Sequence, residues 1–600
     1  MYFMKASFPI ILTFLLISCQ APDNAHNTSA QIVTMLHRLF QDEWERYLRE
    51  HPVFSSSIGD RRYNDKWGDN SLVAIRSRHE EDKRALRQLL SINRELLPEN
   101  EKLNYDLFKQ PLEVDIEGFQ YRTFLMPLDQ LGGIQNLHET VERLRLQTEE
   151  DFRDWITRLK QVNRVIQDTI DLMKIGIKEG RTQPKVIMER IPDQIARQIV
   201  DDPKESPFYQ VFREIPEGIQ ATTQVEIKKE AEQTIANIVI PAYRQFQIFF
   251  NQQYLPNCRD NIGANSLPNG KSFYAYQTRQ FTTTELTPKE IHEIGLKEVN
   301  RIRNEMEELI NQLKFGGNFN EFLRFLRTDP QFYYQDPKAL LQGYRAIAKR
   351  IDPELVKIFR KLPRMPYGIK PIPMSSAPDT VTGYYQPPAA DGSRAGYYYV
   401  NLYKPEARPK YEMEVLTLHE AVPGHHLQIA LQQELTDLPN FRRFSGFTAF
   451  EEGWGLYAES LGEDLGLYQD LYSKFGQLTY EMWRAARLVV DTGIHSKGWT
   501  RQQAIDFFKE NTAKAEYDIA NEIDRYIAWP GQALAYKIGE LKIKALQQEA
   551  SMILGSHFDI RAFHDALLSN GALPLGILEQ NINKWIKDQQ ESYKITKKSP

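Results

Sequence analysis

The sequence predicts a mainly α-helical protein, and three observations carry that reading. Apolar residues recur at three- and four-residue spacing with charged residues between them over 32–49, 290–313 and 502–510, the pattern of amphipathic helices. Thr287-Pro288-Lys289-Glu290 supplies an N-cap, a proline in the first turn and a glutamate three residues on, which together start a helix. One region departs from this: 363–396 is rich in Pro, Gly and Ser, and Tyr397-Tyr398-Tyr399-Val400-Asn401-Leu402-Tyr403 follows it as an aromatic, β-branched strand signal. The expected architecture is a large helical body with a small β-sheet. An extended substrate could join the edge of that sheet through main-chain hydrogen bonds, which makes Tyr399 a candidate substrate contact.

From the N-terminus, Lys5 and the apolar run 8–17 read as an export signal over 1–18. The run is shorter than the roughly 20 residues a spanning helix needs. Leu16-Ile17-Ser18-Cys19 resembles a bacterial lipobox, which makes Cys19 the expected lipidation site and 19–30 a polar tether. Gln20 at the second mature position resembles lipoproteins sorted to the outer membrane, so the expected address is the cell envelope, facing the periplasm or the cell surface. Cys258 is the only other cysteine, so an acylated Cys19 leaves no intramolecular disulfide. A formal net charge of −5 without a clustered basic face argues against nucleic acid as a partner. No low-complexity linker divides 31–600, which is expected to form one large domain, of one body or two lobes, with its site within 397–540.

The chemistry concentrates in His419-Glu420-Ala421-Val422-Pro423-Gly424-His425-His426 and Glu451-Glu452-Gly453-Trp454-Gly455-Leu456-Tyr457-Ala458-Glu459. Imidazoles and carboxylates at this density are the ligands and base of a hydrolytic metal site. On one helix, His-Glu-x-x-His puts both histidines on one face. Here the spacing is longer. In a straight helix, position i+6 points about 240° away and position i+7 lies about 10.5 Å along the axis, so neither His425 nor His426 could share an ion with His419. Pro423 lacks an N–H and its ring clashes with the His419 carbonyl, and Gly424 tolerates the resulting backbone, so a kink or bulge could return either histidine. Glu452 and Glu459, seven apart on a second helix, share a face that can point inward.

These motifs are similar to those of a bacterial family known as domain of unknown function 885, zinc peptidases related to the gluzincins. The resemblance extends from Gly59-Asp60 through Leu267-Pro268-Asn269-Gly270 and Thr282-Thr283 to Pro530-Gly531-Gln532. It implies a zincin-like helical body with a deep central cleft, one Zn²⁺ per chain and hydrolysis of oligopeptides. It also implies His419, His425 and Glu452 as ligands and Glu420 as general base; Glu459, on the face of Glu452, is a candidate partner for a ligand imidazole. Two distal segments resemble family motifs and offer the remaining roles: Tyr536, then His495, as oxyanion donors, and Arg525 or Lys537 for a substrate carboxylate. Two other readings compete. One is a di-iron or di-manganese carboxylate protein, whose Glu-x-x-His pairs are missing at this site; the other is a lipoprotein that binds peptide or metal without turnover.

Overall fold

The computed structural model describes residues 29–374 and 376–596. The export signal and Cys19 lie outside them, and Ser29 and Ala30, expected in the tether, already begin a helix. Over the described residues the chain is mainly helical with one small sheet. The amphipathic stretches become helices at close to their expected bounds: α1 (Ser29–Glu50) packs with α2 (Leu72–Leu90) and α3 (Glu99–Gly118) around Leu36, Phe40, Leu89 and Phe108. The Thr287 capping box forms as expected: its hydroxyl accepts from Glu290 N–H, and the Glu290 side chain accepts from Thr287 N–H, at the start of α4 (Pro288–Gln312).

Three strands follow: β1 (Tyr367–Pro371), β2 (Gly383–Gln386) and β3 (Gly396–Val400). Their order is β1-β3-β2, with β1 parallel and β2 antiparallel to β3. The Tyr-rich strand is therefore central, and β2 presents the sheet edge next to the site. This corrects the role expected of Tyr399. Its side chain is buried on the middle strand and stacks on Tyr384, ring centroids 4.9 Å apart, outside the cavity that β2 borders.

The C-terminal half carries α5 (Met413–Glu420), α6 (His425–Gln433), α7 (Thr448–Ser460), α8 (Leu471–Lys497), α9 (Glu516–Ala528) and α10 (Ala535–Leu554). Helix α8 is buried on every side from Phe475 to His495 and packs along α4. Helices α7 and α10 cross at Gly453 and Gly539, where a Cβ on Gly453 would stand 2.6 Å from the Gly539 Cα. Only glycines permit that approach, and it fixes α7 at the depth from which Glu452 and Glu459 face α5. The main apolar core runs continuously from Trp67 to Ile586. Among the described residues no helix is long and apolar enough to cross a membrane.

Candidate metal centre

The irregular spacing after His419 resolves into a break between two helices. Helix α5 ends at Glu420, residues 421–424 turn through a cis Val422–Pro423 bond, and α6 starts afresh at His425. The turn is tight: a Cβ on Gly424 would lie 1.9 Å from the His419 carbonyl oxygen. The Trp454 indole N–H donates to the Pro423 carbonyl at 2.8 Å and reaches that of Gly424 at 3.3 Å, tying the turn to α7. Gly455, one turn above Glu452, leaves space for the His419 ring, since a Cβ there would meet its Cε1 at 2.7 Å. The Trp and both Gly of Glu452-Gly453-Trp454-Gly455 thus seat α7 against the two histidines. Replacing Trp454 by Phe leaves a buried carbonyl without its donor and is expected to cost about 1–3 kcal/mol. Urea unfolding reads this directly, and an unchanged midpoint contradicts it.

The outcome is convergence. Glu452 Oε2 lies 3.5 Å from Nε2 of His419 and 3.5 Å from Nε2 of His425. One ligand atom from each of the three residues falls within 4.8 Å of the others. Two ligands on bonds of about 2.0–2.1 Å at a tetrahedral angle stand about 3.3–3.4 Å apart, so this spacing fits a shared small cation. Glu452 Oε2 is buried and has no hydrogen-bond partner, a costly state for a carboxylate oxygen that an ion would relieve. Among the described residues this is the group of His, Cys, Asp or Glu side chains close enough to hold an ion. A second such cluster, as a di-metal carboxylate centre requires, is not among them.

The surroundings orient the set. His419 Nδ1 bonds Glu459 Oε1 at 2.8 Å, which in the neutral ring leaves the Nε2 lone pair facing His425 and Glu452. Glu459 is itself held by the Arg484 guanidinium at 3.0 Å. Burial disfavours the His419 imidazolium, but the Glu452 and Glu459 carboxylates outweigh it and push its pKa up to about 9. Burial likewise works against the Glu452 carboxylate, yet the two imidazoles hold it well below its usual range. His425 Nδ1 has no such partner.

His426 is turned away. Its Nδ1 meets the Tyr385 hydroxyl at 2.8 Å and its Nε2 the Met365 carbonyl at 3.0 Å, and burial drops its pKa to about 4. Of the two adjacent histidines, only His425 faces His419, their ring centroids 4.7 Å apart. Glu451 also stays out of the trio, and burial raises its carboxyl to about 7.

Glu420 lines the same cavity, of about 420 Å³, and its pKa is raised, chiefly by burial. Tyr536 and Arg525 line it as well. The Tyr536 ring stacks 6.3 Å from that of His419, and its hydroxyl accepts from Arg525 Nη2 at 2.8 Å. Two of the expected residues are elsewhere. His495 accepts from the Ala264 N–H and donates to the Tyr526 carbonyl, each at 2.9 Å, and burial holds its pKa down at about 3. With both nitrogens committed and no place in the cavity wall, it is a packing histidine rather than an oxyanion donor. Lys537 follows Tyr536 by one residue and so points about 100° around α10. There it is fully buried in ion pairs with Glu540, Glu481 and Glu298 at 2.6, 2.8 and 3.3 Å, away from any substrate.

Sequence reasoning missed Arg484, Arg487 and Glu522 in the cavity wall. Their signal was present: arginines at 484 and 487 interrupt an otherwise apolar stretch of α8, and a charge in a fully buried helix needs a partner. A second cavity of about 620 Å³ adjoins the first, and Tyr384, Tyr385, Ile429 and Trp529 line both.

The family model described as "Bacterial protein of unknown function (DUF885)" matches residues 52–582. No curated protein matches. A crystal structure of a "putative lipoprotein" from Colwellia psychrerythraea is 28% identical, with a TM-score of 0.82, over 94% of this chain and 100% of that one. A structure from Shewanella oneidensis, described as a "putative lipoprotein of unknown function", is 15% identical with a TM-score of 0.65, over 92% of this chain and 99% of that one, and shares the fold.

Proposed function

We propose that this chain, which belongs to the DUF885 family of bacterial proteins, hydrolyses peptide bonds in oligopeptides with one zinc ion held by His419, His425 and Glu452. The observation that carries the reading is the convergence of three ligand atoms, one of them a buried carboxylate oxygen with no other partner, beside the buried carboxylate of Glu420. When bound, such an ion supplies Lewis acidity, polarising a carbonyl and acidifying a water.

The chain's own groups do the rest. Glu420 takes a proton from the water that attacks the scissile carbonyl carbon and returns it to the leaving amine; its raised pKa suits both halves of that task. Tyr536 Oη accepts from Arg525 and, at 3.4 Å, from Gln532, so its own proton is free for an oxygen in the cavity that gains negative charge. The free edge of β2 borders the cavity and offers main-chain groups to an extended peptide. Glu459 and Arg484 hold the His419 ring in place.

The chain is read as a cell-envelope lipoprotein anchored through Cys19, with Gln20 directing it to the outer membrane; the Colwellia relative, described as a "putative lipoprotein", supports the class. Cys19→Ala is expected to release it from the membrane fraction, and unchanged membrane association contradicts that. The activity is tested by incubating the zinc-loaded protein with a mixed peptide library and reading product masses. New masses from single peptide-bond cleavages, abolished by a chelator and restored by zinc, are expected. An intact library with zinc bound contradicts the reading and favours peptide or metal binding without turnover.

A further inference from the structure

Resting on the peptidase reading, we infer that the site is a carboxypeptidase site: it receives the free C-terminus of a peptide at a closed, arginine-lined end and releases one or two C-terminal residues.

The first observation is shape. The residues that line the site cavity but not its larger neighbour include Tyr480, Trp483, Arg487, Glu522, Arg525 and Tyr536, each less than one tenth exposed. The cavity opens into the larger one where Tyr384 and Trp529, 37% and 40% exposed, line both, and it meets a third cavity of about 400 Å³ at Trp529 and Gln532. A cleft for cutting mid-chain must let the substrate leave on both sides of the scissile bond. Neither neighbouring cavity is lined by Arg487, Glu522 or Arg525, so the chain enters from the Trp529 side and ends at that wall.

The second observation is charge. Arg487 and Arg525 share a single carboxylate, Glu522, at 3.1 and 3.6 Å. Their remaining protein contacts are neutral: Arg487 Nε donates to the Tyr526 hydroxyl at 2.7 Å, and Arg525 Nη2 to the Tyr536 hydroxyl and Gln532 Oε1. One positive charge on the wall is thus left without a partner. Arg487 Nη1 and Arg525 Nε are buried with no hydrogen bond, and Arg525 Nη1 approaches Glu522 only at 3.6 Å. A buried guanidinium left in this state fits a carboxylate that arrives with the substrate.

The third is distance. The Tyr536 ring lies 6.3 Å from the His419 ring and 5.9 Å from the Arg525 guanidinium carbon. The two legs meet at the Tyr536 ring and so cap the His419-to-Arg525 separation; at about 3.3–3.6 Å per extended residue, no more than one or two residues fit between the scissile bond and the arginine. The reaction balances as hydrolysis: a water oxygen bonds the scissile carbonyl carbon, the C–N bond breaks with its electron pair on nitrogen, and one water proton ends on the released amine.

The experiment compares peptides of one sequence bearing a free C-terminal carboxylate or a C-terminal amide, with the zinc-loaded full chain. Free acids are expected to be trimmed from the C-terminus, and amides to react with kcat/KM at least about 30-fold lower, since a buried charge loses its counterpart. Arg525→Gln is expected to bring the acid-to-amide ratio toward one, and Arg525→Lys to restore part of it. Equal cleavage of amides, internal cuts, or an undiminished ratio in folded Arg525→Gln each overturn the inference. If Arg525→Gln does not fold, the wild-type comparison decides alone. If zinc is bound and neither peptide is cut, the peptidase reading fails. Calorimetry with the Glu420→Gln protein then decides the carboxylate site, and equal affinity for acid and amide overturns it.

Discussion

Glu420→Gln is expected to retain zinc and to lose on the order of 10²–10⁴ in kcat, the usual contribution of a positioned acid or base. The substitution is nearly isosteric, and Glu420 is absent from the trio of converging ligand atoms, so the metal set is left intact. What is lost is a carboxylate that takes and returns the proton, its pKa raised chiefly by burial. Because the amide cannot carry a proton between water and amine, kcat should fall far more than KM rises. Zinc quantified beside peptide turnover on the same sample separates the two effects. Near-wild-type hydrolysis with full zinc removes Glu420 as base, whereas loss of zinc moves it into the ligand set.

Gly424→Ala is expected to cost about 3 kcal/mol or more, the upper range for an overpacked buried site, and to abolish zinc binding. A single methyl group suffices because it would stand 1.9 Å from the His419 carbonyl and 2.4 Å from that of Leu418, both backbone atoms that no side-chain rotation can move. Relief must come from opening the 421–424 turn, which carries His425 away from His419 and Glu452. Thermal unfolding and zinc content of the purified variant check this. A folded variant with wild-type stability and one zinc per chain contradicts the role assigned to the turn.

The helices were legible because their apolar periodicity and caps are local properties. The span 290–313 and its Thr287 capping box match α4 almost residue for residue. The choice between His425 and His426 was not legible from the residues alone, since helix phase counts only along an unbroken helix. The turn at 421–424 resets the phase, and what sets the new one is the distant Trp454 bond to Pro423. Tyr536 and Lys537 show the same limit. Both sat in one motif, and only the rotation of α10 decides that the tyrosine faces the cavity and the lysine faces Glu481. His495 misled because a histidine after an apolar run reads alike whether it meets a substrate or the backbone of Ala264 and Tyr526. Tyr399 misled because sequence marks a strand without its place in the sheet, and β2, the edge strand beside the site, carried the weaker pattern.

The central claim is that His419, His425 and Glu452 share one ion, and anomalous diffraction at the zinc edge from crystals of the zinc-loaded protein tests it most directly. One peak is expected, within about 2.0–2.2 Å of Nε2 of His419, Nε2 of His425 and a carboxylate oxygen of Glu452. No peak at this trio, or a peak that engages His426 or Glu451 in place of His425 or Glu452, would contradict it.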